Sequence, residues 1–206
     1  MWNEGWDKIF ADHQWGSYPP EELVRFVARN FGGRNPRHDV HLLEVGCGPG
    51  ANICFMAREG YTVSGIDGSQ VAIDRAKQRL AKENLTANLH VGDVMRLPFA
   101  DASVDGVMDI ECIYANSVED TKEILKEIKR VLKPNGLFFS KTFMAGMSEN
   151  VLKQGYGLIR YTTEEDIQSL YGAFFTIEAI DYICRSDKNR TQEVKEWLIT
   201  CRPRIM

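Results

Sequence analysis

The 206-residue sequence predicts an α/β protein built on an open, doubly wound, mostly parallel sheet with helices on both faces. Three observations carry that expectation. From residue 40 onward, short apolar runs alternate with longer amphipathic stretches, the pattern of strand, crossover helix and parallel strand. The first run leads directly into LLEVGCGPG at 42–50, a glycine-rich turn of the kind that joins a strand to a ligand-binding helix. The last third abandons the alternation and reads as two strands split by a polar stretch.

Taken in order, VHLLEV (40–45) is a first strand and ANICFMAREG a helix ending on Gly60. YTVSGI (61–66) is a second strand, after which Ser69 N-caps a helix running to about Asn84. ANLHV (87–91) and VDGVMDI (104–110) supply the third and fourth strands. In SVEDTKEILKEIKRVL the positions Ile124, Leu125, Ile128, Val131 and Leu132 fall at helical spacing, and Pro134 and Gly136 stop that helix before a fifth strand, LFFSKTF. TTEEDIQSLYG is a helix capped by Thr162 or Thr163. FFTIEAIDYI and VKEWLITC, separated by CRSDKNRTQ, make an antiparallel hairpin, for seven strands in all. Ahead of the sheet, an aromatic opening and the helix EELVRFVARNF read as a lid and a docking helix.

The bulk numbers bound the function. Apolar residues are 44% and charged residues 26% of the chain, ordinary for a globular protein, and the net charge of −4 gives a nucleic acid no general electrostatic help. No run approaches the ~18 apolar residues of a membrane span. MWNEGWDKIF is neither a signal nor a transit peptide, so the expected location is cytoplasmic. Five cysteines, scattered without a C-x-x-C pair, read as reduced packed thiols, with no metal site expected.

The glycine turn fits more than one nucleotide. Gly46 and Gly48 permit positive φ and close backbone approach, and G-x-G-x-x-A over Gly46, Gly48 and Ala51 also satisfies the dinucleotide fingerprint. Glu44 argues against a pyrophosphate, because a carboxylate aimed into the turn repels phosphate and suits a cationic amino-acid group; buried, it needs a backbone amide or the ligand as partner. Asp67, in GIDGS, sits where a carboxylate takes both ribose hydroxyls. VGDVMRLPF places Asp93 and the Val94 backbone where an adenine edge is hydrogen-bonded.

From LLEVGCGPG through GIDGS and GDVMRLPF to VDGVMDI and EIKRVLKPNGLFF, residues 40 to 143 resemble the class I S-adenosylmethionine-dependent methyltransferases in order and spacing. The resemblance implies a Rossmann-like sheet and a set of roles. Glu44, Gly46, Cys47, Gly48, Gly50 and Asn52 surround the methionine part of S-adenosylmethionine. Asp67, with Gly68 and Ser69, meets the ribose, Asp93 and Val94 meet adenine, and Ile110 or Glu111 lies near the sulfonium. A single domain over 1–206 is expected: lid and docking helix (1–36), cofactor-binding core (37–143), substrate-side helix and hairpin (144–206). The stretch WGSYPPEELVRFV also resembles small methyltransferases of bacterial polysaccharide and small-metabolite clusters.

Trp15 and Tyr18, beside Pro19 and Pro20, are read as ligand contacts from the lid; Trp2 and Trp6, four apart, are read as packing. His13 is the histidine inside the lid, and with Glu111 and Tyr18 it is a candidate base for a hydroxyl acceptor. Lys141, Arg160 and Tyr161 are placed to meet an anionic substrate. DIECIYANS lacks the Asn/Asp-Pro-Pro-aromatic signature for nucleobase or protein amide nitrogens, which favours a small-molecule acceptor, such as a sugar, methylated on oxygen or nitrogen. The expected partners are that acceptor alone, with no nucleic acid or membrane, and a monomer or homodimer. An NAD-dependent oxidoreductase and a non-catalytic S-adenosylmethionine-binding module are the rival readings.

Overall fold

The computed structural model describes residues 5–13, 15–146, 159–186 and 193–204. Seven strands form one sheet: β1 (His41–Val45), β2 (Thr62–Asp67), β3 (Asn88–Val91), β4 (Val104–Ile110), β5 (Leu132–Phe143), β6 (Phe175–Ser186) and β7 (Glu193–Pro203). Their order is β3-β2-β1-β4-β5-β7-β6. The first five pair in parallel, while β7 lies antiparallel between β5 and β6 as the expected hairpin.

Among the described residues six α-helices flank the sheet: α1 (Gly5–Asp12), α2 (Glu21–Phe31), α3 (Ala51–Arg58), α4 (Gln70–Lys82), α5 (Val118–Val131) and α6 (Glu164–Leu170). Because successive strand residues face opposite ways, Leu42 and Leu43 serve different cores. Leu42, with Met108 and Phe139, packs under α2, α3 and α4, where Phe26 stacks on Phe139 at 4.6 Å. Leu43, with Val107 and Phe138, packs under α5 and α6 through Ile124, Ile128, Ile167 and Tyr171. Strand order reverses between β1 and β4, and that switch point opens a crevice beyond their carboxyl ends.

Local chemistry sets the helix ends. Ser69 accepts a hydrogen bond from the Ala72 amide, and Ser117 from that of Asp120. Of the two threonines, Thr163 is the cap of α6: it forms a capping box with Asp166, whereas Thr162 is buried in a bridge with Met144. The fifth strand begins earlier than its pattern suggests. Leu132 already pairs with Val104, and Lys133–Gly136 bulge out before pairing resumes at Gly106 and Leu137. Pro134 thus ends the helix without ending the strand.

Ile128, fully buried in the α5 face, and Lys126, exposed on the same helix, give a direct check. Ile128→Ala should cost about 2–5 kcal/mol in urea unfolding, and Lys126→Ala less than about 0.5 kcal/mol.

Candidate functional site

Two adjoining clefts occupy the crevice. The first, about 700 Å³ including open solvent, is lined by Asp67, Gly68, Gly92, Asp93, Val94, Cys112 and Asn116, among others. The second, about 1040 Å³, is lined by Glu44, the Gly46–Gly50 turn, Asn52, Ile110, Tyr114, Lys141, Arg185 and the lid residues Trp15 and Tyr18. They meet at Trp6, Phe10, Gly46 and Glu111.

The glycine turn is held by its neighbours. The Cys47 amide donates to the Ile66 carbonyl at 3.0 Å, and the Gly48 amide to Asp67 Oδ2 at 2.8 Å. Gly46 has φ +66°, and the side chain of Cys112 fills the place a Cβ would take. Gly50, at φ +79°, brings the start of α3 within van der Waals range of Ala76 on α4.

Glu44 is 1% exposed; one carboxyl oxygen accepts from Asn52 Nδ2, and the other, Oε2, is buried with no hydrogen-bond partner. Burial pushes this carboxyl up to about 8, opposed by the Asn52 hydrogen bond and reinforced by Asp67 and Asp109. A buried acceptor without a donor costs free energy that an incoming ammonium group recovers. Asp67 is also buried, and its Oδ1 accepts from the Ser69 amide at 2.9 Å. Burial raises its pKa against these two amide bonds. Each of its oxygens retains an unused lone pair at the wall of the first cleft. Asp93 is exposed, and its Oδ1 ties the following turn through the Met95 amide at 2.9 Å.

Asp109 is a site-building residue that the sequence pattern does not single out. Fully buried on β4, it accepts from the Cys112 and Ile113 amides at 2.9 and 3.0 Å and from Ser140 Oγ at 2.6 Å. Burial raises it to about 6. It fixes the turn that presents Glu111, whose φ of +61° is a strained conformation for a residue with a Cβ, costing about 1–3 kcal/mol.

The lid is tied to the residues after β2. Ser69 Oγ donates to Asp7, Arg75 takes the carbonyls of His13 and Ala11 at 2.9 and 3.0 Å, and Arg79 takes that of Gly16 at 3.1 Å. Phe10 is buried between Trp6 and Trp15, with ring centroids at 5.7 and 5.3 Å.

Most of the residues singled out from sequence therefore converge on one crevice. Four line neither cleft. His13 is exposed at the end of α1, with Nδ1 3.3 Å from the Ile9 carbonyl, and lines neither cleft, so it is not placed to act as a base. Ser69 is fully buried, its hydroxyl used by Ala72 and Asp7. Trp6, read as packing, lines both clefts; Trp2 lies outside the described residues. Lys141 reaches the second cleft, but its charge is met by Glu111 and Glu196. Arg160 is turned to Thr121 at 2.9 Å and to the Asn116 carbonyl, and Tyr161 packs near Phe143. Among the described residues no group of His, Cys, Asp and Glu could hold a metal ion.

Residues 43–140 match the methyltransferase domain family. Over that span the chain carries a methyltransferase domain of the class I fold. It is 33% identical over 141 residues to sterol 24-C-methyltransferase ERG6B of Gibberella zeae, covering 66% of this chain and 33% of that protein. It is 26% identical to the tRNA N(3)-methylcytidine methyltransferase trm140 of Schizosaccharomyces pombe, covering 94% and 67%. The chain thus spans a third of the length of the sterol relative it matches. Its fold matches the Burkholderia thailandensis 1,6-didemethyltoxoflavin-N1-methyltransferase solved with S-adenosylhomocysteine, at a TM-score of 0.69 and 18% identity, covering 98% of this chain and 88% of the other.

The residues of this methyltransferase domain fit S-adenosylmethionine. Glu44 Oε2 is a buried acceptor that could take an amino-acid ammonium, Asp67 has lone pairs that could take ribose hydroxyls, and Asp93 and Val94 line the same cleft as Asp67. An NAD pyrophosphate would instead meet the carboxyls of Glu44, Asp67 and Glu111, which line the clefts around the turn.

Two predictions follow from these carboxyls. Below pH 8 the free protein holds a proton on Glu44, and an ammonium partner favours the ionised form, so binding expels that proton. Affinity for S-adenosylhomocysteine, by calorimetry, should rise by up to about tenfold per pH unit from about pH 6 to 8, and Glu44→Gln should flatten the dependence. Asp67→Ala should weaken the same binding by about 1–3 kcal/mol, and unchanged affinity would remove Asp67 from the site.

Proposed function

We propose that the protein transfers the methyl group of S-adenosylmethionine to an oxygen or nitrogen of a small molecule, such as a sugar or other metabolite. The observation that carries this reading is the second cleft. Its lining brings the glycine turn and Glu111 together with the aromatic side chains of Trp15, Tyr18 and Tyr114, a concave surface of the kind that takes a small ligand. Methyl transfer from a sulfonium needs an acceptor held in line and shielded from water, for which the N-terminal aromatic residues along the second cleft are the covering surface. Glu111, at the junction of the clefts, is the carboxyl placed to face the acceptor.

Charge supports a small acceptor over RNA. The chain is net −4, and Arg185, at the cleft mouth, is paired with Glu196. No helix among the described residues is long and apolar enough to cross a membrane. With free thiols at Cys47, Cys54, Cys112, Cys184 and Cys201, a cytoplasmic monomer or homodimer acting without nucleic acid or membrane is the matching setting.

Calorimetry with S-adenosylmethionine and NADH, followed by an acceptor panel scored for S-adenosylhomocysteine, tests the proposal. Tight S-adenosylmethionine binding with product release on a hydroxylated or amino metabolite is the expected result. Tight NADH binding alone would overturn it, and donor binding with no turnover on any acceptor would favour a binding module.

A further inference from the structure

Four charged side chains of alternating sign cross four adjacent strands at one side of the second cleft. Glu111 follows β4, Lys141 lies on β5, Glu196 on β7 and Arg185 on β6. Lys141 Nζ is 2.9 Å from Glu111 Oε1 and 3.1 Å from Glu196 Oε1, and Arg185 Nη2 holds Glu196 Oε2. Lys141 and Glu196 are 1% and 0% exposed, so the middle of the row is out of water. Its two ends are not: Glu111 stands where the clefts meet, and Arg185 is at the rim with 55% of its side chain exposed.

Burying such a row is costly, and apolar side chains of similar size would stabilise the sheet as well or better. The cost calls for a chemical reason. Glu196 Oε1 is buried with no hydrogen bond, and it converges with Glu111 Oε1 on the one Lys141 ammonium, at 3.1 and 2.9 Å. Two carboxylates cannot bond to one another; a single proton between them makes the bond. The other charged groups acting on the pair are Lys141, Arg185 and, from β4, Asp109. Burial favours the proton on both carboxyls, but Lys141 holds Glu111 below its ordinary value, while Glu196 is raised to about 7.

We infer that Glu111 and Glu196 share one proton and form the route by which the proton of a hydroxyl or amine acceptor leaves the cleft, an inference that rests on the methyl-transfer reading above. The acceptor oxygen or nitrogen bonds to the methyl carbon, the methyl–sulfur bond breaks with its electron pair remaining on sulfur, and the acceptor proton passes to Glu111. The proton already shared moves fully to Glu196 and departs to water at the Arg185 rim. Lys141 is the positioning residue that holds the two carboxyls together.

The test is a carboxyl 13C NMR titration of glutamate-labelled protein, run free and with saturating S-adenosylhomocysteine, comparing wild type with E111Q, E196Q and K141M. One shared titration near pH 7 is expected, lost in either glutamine variant and raised by about a unit or more in K141M. Two carboxylates that stay ionised from about pH 5 to 9, or that titrate independently of each other, would overturn the inference. The wild-type titration decides this even where a variant fails to fold. Absence of S-adenosylhomocysteine binding by the wild type would sink the methyl-transfer reading instead, while the free-protein titration still judges the shared proton. With any acceptor that turns over, E196Q should lower kcat by at least about tenfold with KM for S-adenosylmethionine little changed; an unchanged kcat counts against the relay.

Discussion

A single half-satisfied carboxyl organises the ligand side of this fold. Glu44 lies one residue before the end of β1, on the face that packs under α2, α3 and α4, where it is almost wholly buried, and Asn52 from the first turn of α3 satisfies only one of its oxygens. The free protein meets that cost by holding a proton on the carboxyl, and a cationic group that reaches it restores the ionised form. The glycine turn between Glu44 and Asn52 must then double back tightly. Its three left-handed glycines and the Asp67–Gly48 and Ile66–Cys47 hydrogen bonds make that path possible.

The same logic of buried carboxyls links the donor half of the crevice to the acceptor half. Asp67 at the end of β2 braces the glycine turn and the start of α4, and Ser69 beside it carries the bond to Asp7 in the lid. Asp109 at the end of β4 pins the turn that pushes Glu111 into a strained conformation between the clefts. Lys141 and Glu196 then carry the chain of charge across the antiparallel hairpin to the rim. The hairpin thus supplies the site as well as covering the sheet edge beyond β5.

Features that depend on local periodicity and near-neighbour spacing were legible in the sequence. The strand–helix alternation, the hairpin, the Ser69 cap and the positions of Glu44, Asp67 and Asp93 all follow from patterns a few residues long. Features set by distant contacts were not. Lys141 reads as a free cation because nothing in LFFSKTF reveals two carboxyls beside it, one of them more than fifty residues later. A signal for Glu196 did exist: in VKEWLITC it alternates in step with Leu198, on the face opposite Ile199 and Cys201, and a glutamate turned onto a packed sheet face must have a partner. The place of His13 outside both clefts was hidden for a comparable reason, since the Arg75 contacts that hold the end of α1 come from more than sixty residues away.

The central claim is that a buried, unpartnered carboxyl selects an adenosyl ligand with a cationic amino-acid tail. A crystal structure with S-adenosylhomocysteine tests it most directly. The account predicts the ligand ammonium within hydrogen-bond distance of Glu44 Oε2, ribose hydroxyls on Asp67, and adenine beside Asp93 and Val94. A ligand whose amino group lies elsewhere, with Glu44 still bare, would contradict it.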